Sequence, residues 1–297
     1  MTVSPRGVDW VLNARTTGAT VLNNLHCFAD DAGVPAEAGD LCLHLETLVR
    51  DRLAGWPASW EGYHWPGYTY EHTLRVRNLA LELARREGGD EQVVELAALL
   101  HDIRKDAGRD HARIGAAETR GILAGLAVAP GLVDRVYNAI GCHSGDNTAE
   151  SPVENRCLGD ADLIDANFGL VAFWRFITIR SGYDTPVCDT VRSMEEWLPK
   201  KDELLGMLLT RSGREIARQR AQRGWAFWEE LKRDRHAPPA NGEYRLTDVI
   251  QHIHSARGGS YLEQQLGELE QITQTRQHTR VVRVVCRSLR AEIAGVH

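Results

Sequence analysis

The chain has 297 residues, with 35 Lys plus Arg against 41 Asp plus Glu and a formal net charge of −6, so it carries no basic field to attract a nucleic-acid backbone. Hydrophobic residues make up 43% of it, yet no apolar run approaches the roughly 18 residues of a membrane span, and the start (MTVSPRG) lacks the apolar core of a secretory signal. The six cysteines are scattered with no CxxC pair, which fits reduced thiols in a cytoplasmic protein better than a disulfide framework or a thiolate zinc site.

In chain order, residues 8–55 carry two helical patterns, the second with Leu41, Leu45 and Leu48 at helical spacing, and 1–55 reads as an N-terminal helical extension. Residues 56–69 hold three Trp, two Tyr, two Pro and two Gly, which predicts an ordered aromatic loop. From Tyr70 to about Arg180, helical patterns succeed one another, broken at Gly88-Gly89, Asp106–Arg109, Ala129–Gly131 and Gly145–Ser151. Ser151-Pro152-Val153-Glu154 has the form of a capping box and predicts a helix start at Pro152. The Arg-rich run Arg211–Arg223 reads as a solvated helix face paired with nearby acids. His236–Gly242 is the clearest boundary, closing a central unit at 56–235, and 236–297 reads as a C-terminal extension with amphipathic helices at 245–257 and 261–293. The last of these could pack on its own core or form a homodimer.

The chemistry concentrates on histidine. His72 shares a helical face with Val76, Leu79, Ala80 and Leu83; His101 continues the Val94, Ala97, Ala98 stripe and is followed by Asp102. His111 opens the next helix, His143 ends the Val133, Val136, Ile140 series, and Asp162 follows Leu158 by one turn. Any one of these alone reads as a hydrogen-bonded core residue. Six ionisable groups from five consecutive helices read differently, because burying them without a cation leaves several uncompensated groups, whereas a shared metal centre compensates them together. Imidazole and carboxylate donors without thiolate favour Mn, Fe, Co, Ni or Zn, and a carboxylate beside a histidine can bridge, so two ions are expected about 3.5–4 Å apart. Asp160 and Asp162 compete for the last ligand position, since residues two apart on a helix point in roughly opposite directions and periodicity favours neither. Lys105, four residues after His101, and Arg75, three after His72, are candidate anion-binding cations, Asp106 and Asp165 candidates to orient ligands, and Glu118 shares the face of His111. A metal role for His252 and His254 is discounted because their neighbourhood reads helical.

His72, His101-Asp102 and Asp162 resemble the H…HD…D signature of the HD-domain superfamily of metal-dependent phosphohydrolases, over about residues 60–235. The segments HTLRV at His72, AALLHDIRK through Lys105, AIGCHS at His143 and DADLIDA at Asp160–Ala166 carry the likeness, and LLTRSGREIA around Arg211 is similar to the C-terminal part of a bacterial nucleotide-hydrolase branch. His111 and His143 resemble the added histidines of the two-metal subgroup; if the short connection from Asp102 does not reach, His111 binds substrate instead. The family's pattern favours Asp162 over Asp160. The resemblance implies an all-α HD-type bundle and metal-dependent hydrolysis of a phosphate ester or anhydride in a nucleotide or other small phosphorylated metabolite. Asp102, Lys105 and Arg75 are then the catalytic candidates, and His72, His101, Asp102, His111, His143 and Asp162 the metal ligands. Two other readings use the same residues: a mixed-valence diiron oxygenase attacking a C–H bond, and a non-catalytic nucleotide sensor.

Overall fold

A computed structural model describes residues 38–55, 67–236, 243–256, 260–275 and 280–295. The first helical pattern of the N-terminal extension, most of the aromatic loop and the 237–242 break lie outside the described residues. The regular structure of the described residues is entirely helical, and no helix among them is long and apolar enough to cross a membrane.

Helix α1 (Ala38–Leu53) lays Leu45, Val49 and Leu53 on the bundle that follows. Helix α2 (Tyr68–Glu87) buries His72, Val76, Leu79, Ala80 and Leu83, the i, i+4, i+7, i+8, i+11 stripe read from the sequence. It stops at Gly88, whose left-handed φ of 76° lets its N–H cap Ala84 O. Asp90 then caps α3 (Glu91–Leu100) by accepting from the N–H groups of Gln92 and Val93. That helix is short and nearly all apolar, so it runs through the centre of the core, where each fully buried leucine contributes about 1.5–3 kcal/mol. Helices α4 (His111–Gly125) and α5 (Pro130–Cys142) pack on each other, α5 also on α3, and α6 (Val153–Asn167) packs against α2.

The structure corrects the expected capping box. Helix α6 starts at Val153 with no side-chain cap. Ser151 Oγ instead accepts from Thr148 N, closing the preceding loop, and Glu154 Oε1 accepts from Asp90 N and Arg135 Nη2. Both capping groups have better-placed tertiary partners, so the local motif is overridden.

Helices α7 (Leu170–Gly182), α8 (Val187–Asp202), α9 (Arg211–His236), α10 (Leu246–Ala256), α11 (Leu262–Thr275) and α12 (Arg280–Ala294) build a second apolar cluster around Phe173, Trp174, Ile177 and Trp228. The 261–293 pattern is therefore two helices, both packed on this cluster. A buried carboxylate joins the two clusters, Glu71 of α2 accepting from the N–H groups of Leu262 and Glu263 at the start of α11; within the second cluster, Glu292 of α12 accepts from Val171 N at the start of α7. The Arg211–Arg223 run is not uniformly solvated. Arg220 is 1% exposed and donates to Glu292 O, and Arg223 Nε lies 3.5 Å from Glu292 Oε1.

Candidate metal centre

The site forms where helices end. His101 and His143 follow the last residues of α3 and α5, and His111 is the first residue of α4. At these termini the ring can fold back on its own chain. His101 Nδ1 donates to Ala98 O (2.8 Å), His111 Nδ1 to Gly108 O (2.7 Å) and His143 Nδ1 to Ile140 O (2.7 Å). Each bond goes to the carbonyl three residues back and leaves Nε2 as the unprotonated nitrogen that can bind a metal. His72 has the same polarity by another route, with Nδ1 2.7 Å from Asp165 Oδ2.

All four Nε2 atoms then point at one carboxylate. They lie 3.9 Å (His72), 3.5 Å (His101), 3.4 Å (His111) and 3.8 Å (His143) from an oxygen of Asp102, which is itself fully buried. The connection from Asp102 to His111 spans this gap through a 3-10 turn, Lys105–Asp110, in which Gly108 adopts a φ of 59° that favours glycine. The short link therefore reaches. His72, His101 and Asp102 form one group of donor atoms within 4.8 Å of one another, and Asp102, His111 and His143 form a second, with Asp102 common to both. Either group could hold a metal ion. The fit is supported by an orphaned atom: His101 Nε2 is buried and makes no hydrogen bond.

Asp160 and Asp162 diverge as their spacing requires. Asp162 Oδ1 lies 3.0 Å from His72 Nε2, whereas the Asp160 carboxylate accepts from Leu209 N, Thr210 N and Thr210 Oγ1 at the start of α9. Lys105 Nζ donates to Asp102 Oδ1 at 2.9 Å. Arg75 is 5% exposed and grips both oxygens of Asp165 through Nε (2.9 Å) and Nη2 (3.1 Å), so it reaches His72 only through that acid. Asp106 and Glu118 are engaged outside the site, Asp106 with Arg104 and Glu118 with Arg52 and Arg104. His252 and His254 turn to separate partners, Glu268 and Thr185 O. The open side of the site is marked by Asp162 and Lys105, whose side chains are 22% and 20% exposed.

The electrostatics follow this geometry. Burial pushes the Asp102 carboxyl up, but Lys105 and the surrounding imidazoles outweigh it and hold it well below the usual carboxylate range. Burial brings His101 down to about 4, keeping it neutral. Burial also opposes charge on His72, yet Tyr68 and the bonds to Asp162 and Asp165 raise it to about 10. A positive charge between His72 and its acids is thus strongly favoured.

The HD-domain family model matches residues 69–167, which contain His72, His101, Asp102, His111, His143 and Asp162. That segment is an HD domain. A Bacillus subtilis protein, YpgQ, is 27% identical over 174 residues, spanning 57% of this chain and 84% of its own length. The crystal structure of YpgQ in complex with ADP superposes with a TM-score of 0.51 at 23% identity, covering 66% of this chain and 96% of that one. An HD-superfamily hydrolase from Bacillus thuringiensis gives a TM-score of 0.52 at 21% identity, covering 68% and 100%. At these identities the structural likeness concerns the fold, so the HD domain here sits in a helical frame that extends past the matched segment through α7 and beyond.

Two features of the HD domain's surroundings escape sequence reasoning. Tyr68 stacks on His72 with ring centroids 5.8 Å apart and planes 6° from parallel; its place four residues before His72 on α2 was the available signal. Arg175, whose guanidinium carbon lies 5.8 Å from the centroid of that ring, sits on a helix beyond the HD segment and carries no local signal at all.

Proposed function

We propose that this HD domain is a metal-dependent hydrolase of a phosphate ester or anhydride, acting on a nucleotide or another small phosphorylated metabolite in the reducing cytoplasm. One observation carries the reading: four imidazole Nε2 atoms converge on the Asp102 carboxylate, which is common to two donor groups. In this reading His72, His101, Asp102 and Asp162 would hold one cation and Asp102, His111 and His143 a second, Asp102 being common to both donor groups. Bound divalent cations supply Lewis acidity toward phosphoryl oxygens and lower the pKa of water.

The chain's own residues supply position and charge. Lys105 presents its ammonium at the open side, where it can bind and orient a phosphoryl oxygen. Asp165 accepts the Nδ1 proton of His72 and so turns Nε2 inward, and Arg75 fixes Asp165 by a two-point grip. Arg75 is then a positioning residue. The five cysteines among the described residues are free thiols, in keeping with a reducing compartment. Because YpgQ was crystallised with ADP, nucleotides are the first substrates to test.

The test is metal analysis of protein purified without chelators, followed by a screen for phosphate and pyrophosphate release from nucleotides and phosphorylated metabolites with Mn, Co, Ni or Zn. Metal-dependent release that disappears in Asp102→Asn supports the reading. Two irons with a mixed-valence EPR signal, and no release from any substrate, would replace it with the oxygenase.

A further inference from the structure

The first turn of α2 is held from outside the HD segment. Its N-cap, Gly67, has a left-handed φ of 83° and offers no side-chain cap. A Cβ at that position would overlap the Tyr261 ring, so the ring lies directly on the Gly67 backbone. Four residues on, Glu71 N donates to Gly67 O at 3.0 Å, closing the turn, and the buried Glu71 carboxylate accepts from Leu262 N (2.9 Å) and Glu263 N (3.2 Å). Both contacts reach the start of α11. That start is itself tied down, since Gln265, 1% exposed, donates to Ser260 O at 3.1 Å and accepts from Trp174 Nε1 at 2.8 Å.

The turn held in this way delivers His72. Between Gly67 and Glu71 stands the buried Tyr68, whose ring lies parallel to that of His72. His101, His111 and His143 orient their rings by a bond to a carbonyl three residues back, so their geometry is set locally. His72 differs, with its Nδ1 given to Asp165 of α6 and its face to Tyr68. Its direction is therefore decided by where the first turn of α2 sits. A helix's first turn lacks intrahelical partners for its N–H groups and is where a helix frays, so the clamp bears on His72 more than on any other ligand.

We propose that Tyr261 and Glu71 are positioning residues for His72: the start of α11 clamps the first turn of α2 and so holds the stacked Tyr68 and His72 rings in place against Asp102 and Asp162. This rests on the reading of His72 as a metal ligand of the hydrolase. The clamp acts on one of the two donor groups, the one that contains His72, and not on the group of Asp102, His111 and His143. The C-terminal extension is then part of the support of one metal position, through residues that act by way of the α2 backbone and Tyr68.

The test compares Tyr261→Ala and Glu71→Ala with Tyr261→Phe, which keeps the ring, and with Val249→Ala, a truncation in the second apolar cluster. Tyr261 is 40% exposed, so its removal leaves both buried clusters filled. In the EDTA-treated full chain with labelled histidine, the imidazole NMR signals of His72 are expected to shift in Tyr261→Ala and Glu71→Ala while those of His111 and His143 stay in place. Tyr261→Phe keeps the wild-type signals. On titration with Mn²⁺, Tyr261→Ala weakens one of two ions about tenfold, as loss of a ligand's support does, and spares the other. Val249→Ala lowers the melting temperature without separating the two ions. His72 signals that stay put in Tyr261→Ala overturn the proposal, as do equal shifts of all three histidines or an equal effect of Tyr261→Phe. Should Glu71→Ala fail to fold, Tyr261→Ala decides. Failure of the hydrolase reading is distinct, because it appears as absent Mn²⁺ binding or absent phosphate release in the wild type, whereas the clamp is read from His72 in the metal-free protein.

Discussion

His111 Nε2 and His143 Nε2 stand 3.2 Å apart although each ring already donates its Nδ1 proton to a backbone carbonyl. Two neutral rings in that tautomer meet lone pair to lone pair, so the contact requires a proton or a cation between them. Adding Mn²⁺ to EDTA-treated protein is therefore expected to raise its melting temperature. At a hundredfold excess over Kd, a single site contributes about 2.7 kcal/mol, which corresponds to roughly 5–10 °C for a domain of this size. The rise should vanish in Asp102→Asn, which alters the carboxylate common to both donor groups. A wild-type melting curve indifferent to the ion would refute the assignment.

The Arg75–Asp165–His72 chain is buried from end to end, and its members depend on one another. Removing one member of a buried ion pair costs about 3–5 kcal/mol, because its partner keeps its charge without compensation. Asp165→Ala and Arg75→Met are each expected to show a loss of that order in denaturant unfolding of the metal-free protein. The double variant should lose distinctly less than the sum. Additivity within about 0.5 kcal/mol, the behaviour of independent sites, would remove the coupling. Asp165→Ala should also weaken metal binding about 10–100-fold, as loss of a ligand's orienting partner does.

Much of this arrangement is legible in the sequence because its histidines lie on apolar helical stripes. His72 is fixed to its face by Val76 and Leu79, and His101 by Ala97 and Ala98, so the direction of each ring follows from helical period alone. What stays hidden depends on partners far along the chain. Nothing near Arg220 foretells its burial, since its backbone partner is Glu292, and nothing near Glu71 foretells that it accepts from the start of α11. Ser151 and Glu154 form a plausible local motif, yet Thr148, Asp90 and Arg135 compete for them and win. Local pattern thus predicts which face is buried, and tertiary partners decide which polar groups are used.

Lys201 gives a pH signature independent of the metal. Its ordinary value is 10.5 and its folded value about 8, lowered first by burial and then by Arg175. Below pH 8 both folded and unfolded chains hold the proton, and the folded state bears the full penalty of a half-buried charge. Between the two values the unfolded chain keeps the proton while the folded one releases it, so stability rises with pH across that window and levels off above it. The gain is on the order of 3 kcal/mol. Comparing unfolding free energies of wild type and Lys201→Gln from pH 7 to 11 isolates the effect, and parallel profiles would show that Lys201 does not titrate this way.

Asp160 and Asp162, two residues apart on α6, should separate stability from metal binding. Asp160 is a buried long-range cap: its carboxylate accepts three bonds from Leu209 and Thr210, and a Cβ on Gly213 would lie 2.6 Å from its Oδ2. Burial raises its pKa despite those bonds, so its loss leaves donors unsatisfied rather than relieving a favourable charge. Asp160→Ala is expected to cost about 1–3 kcal/mol, and Gly213→Ala to destabilise in the same direction, both with metal content unchanged. Asp162→Ala should do the reverse. Its carboxylate faces the open side of the site against His72 and leaves no backbone donor unsatisfied when removed, so metal content falls while the metal-free protein loses only its contact with His72 and the nearby cationic groups. Stability and metal content measured on the same three preparations give the test, and loss of metal in Asp160→Ala with retention in Asp162→Ala would exchange the two roles.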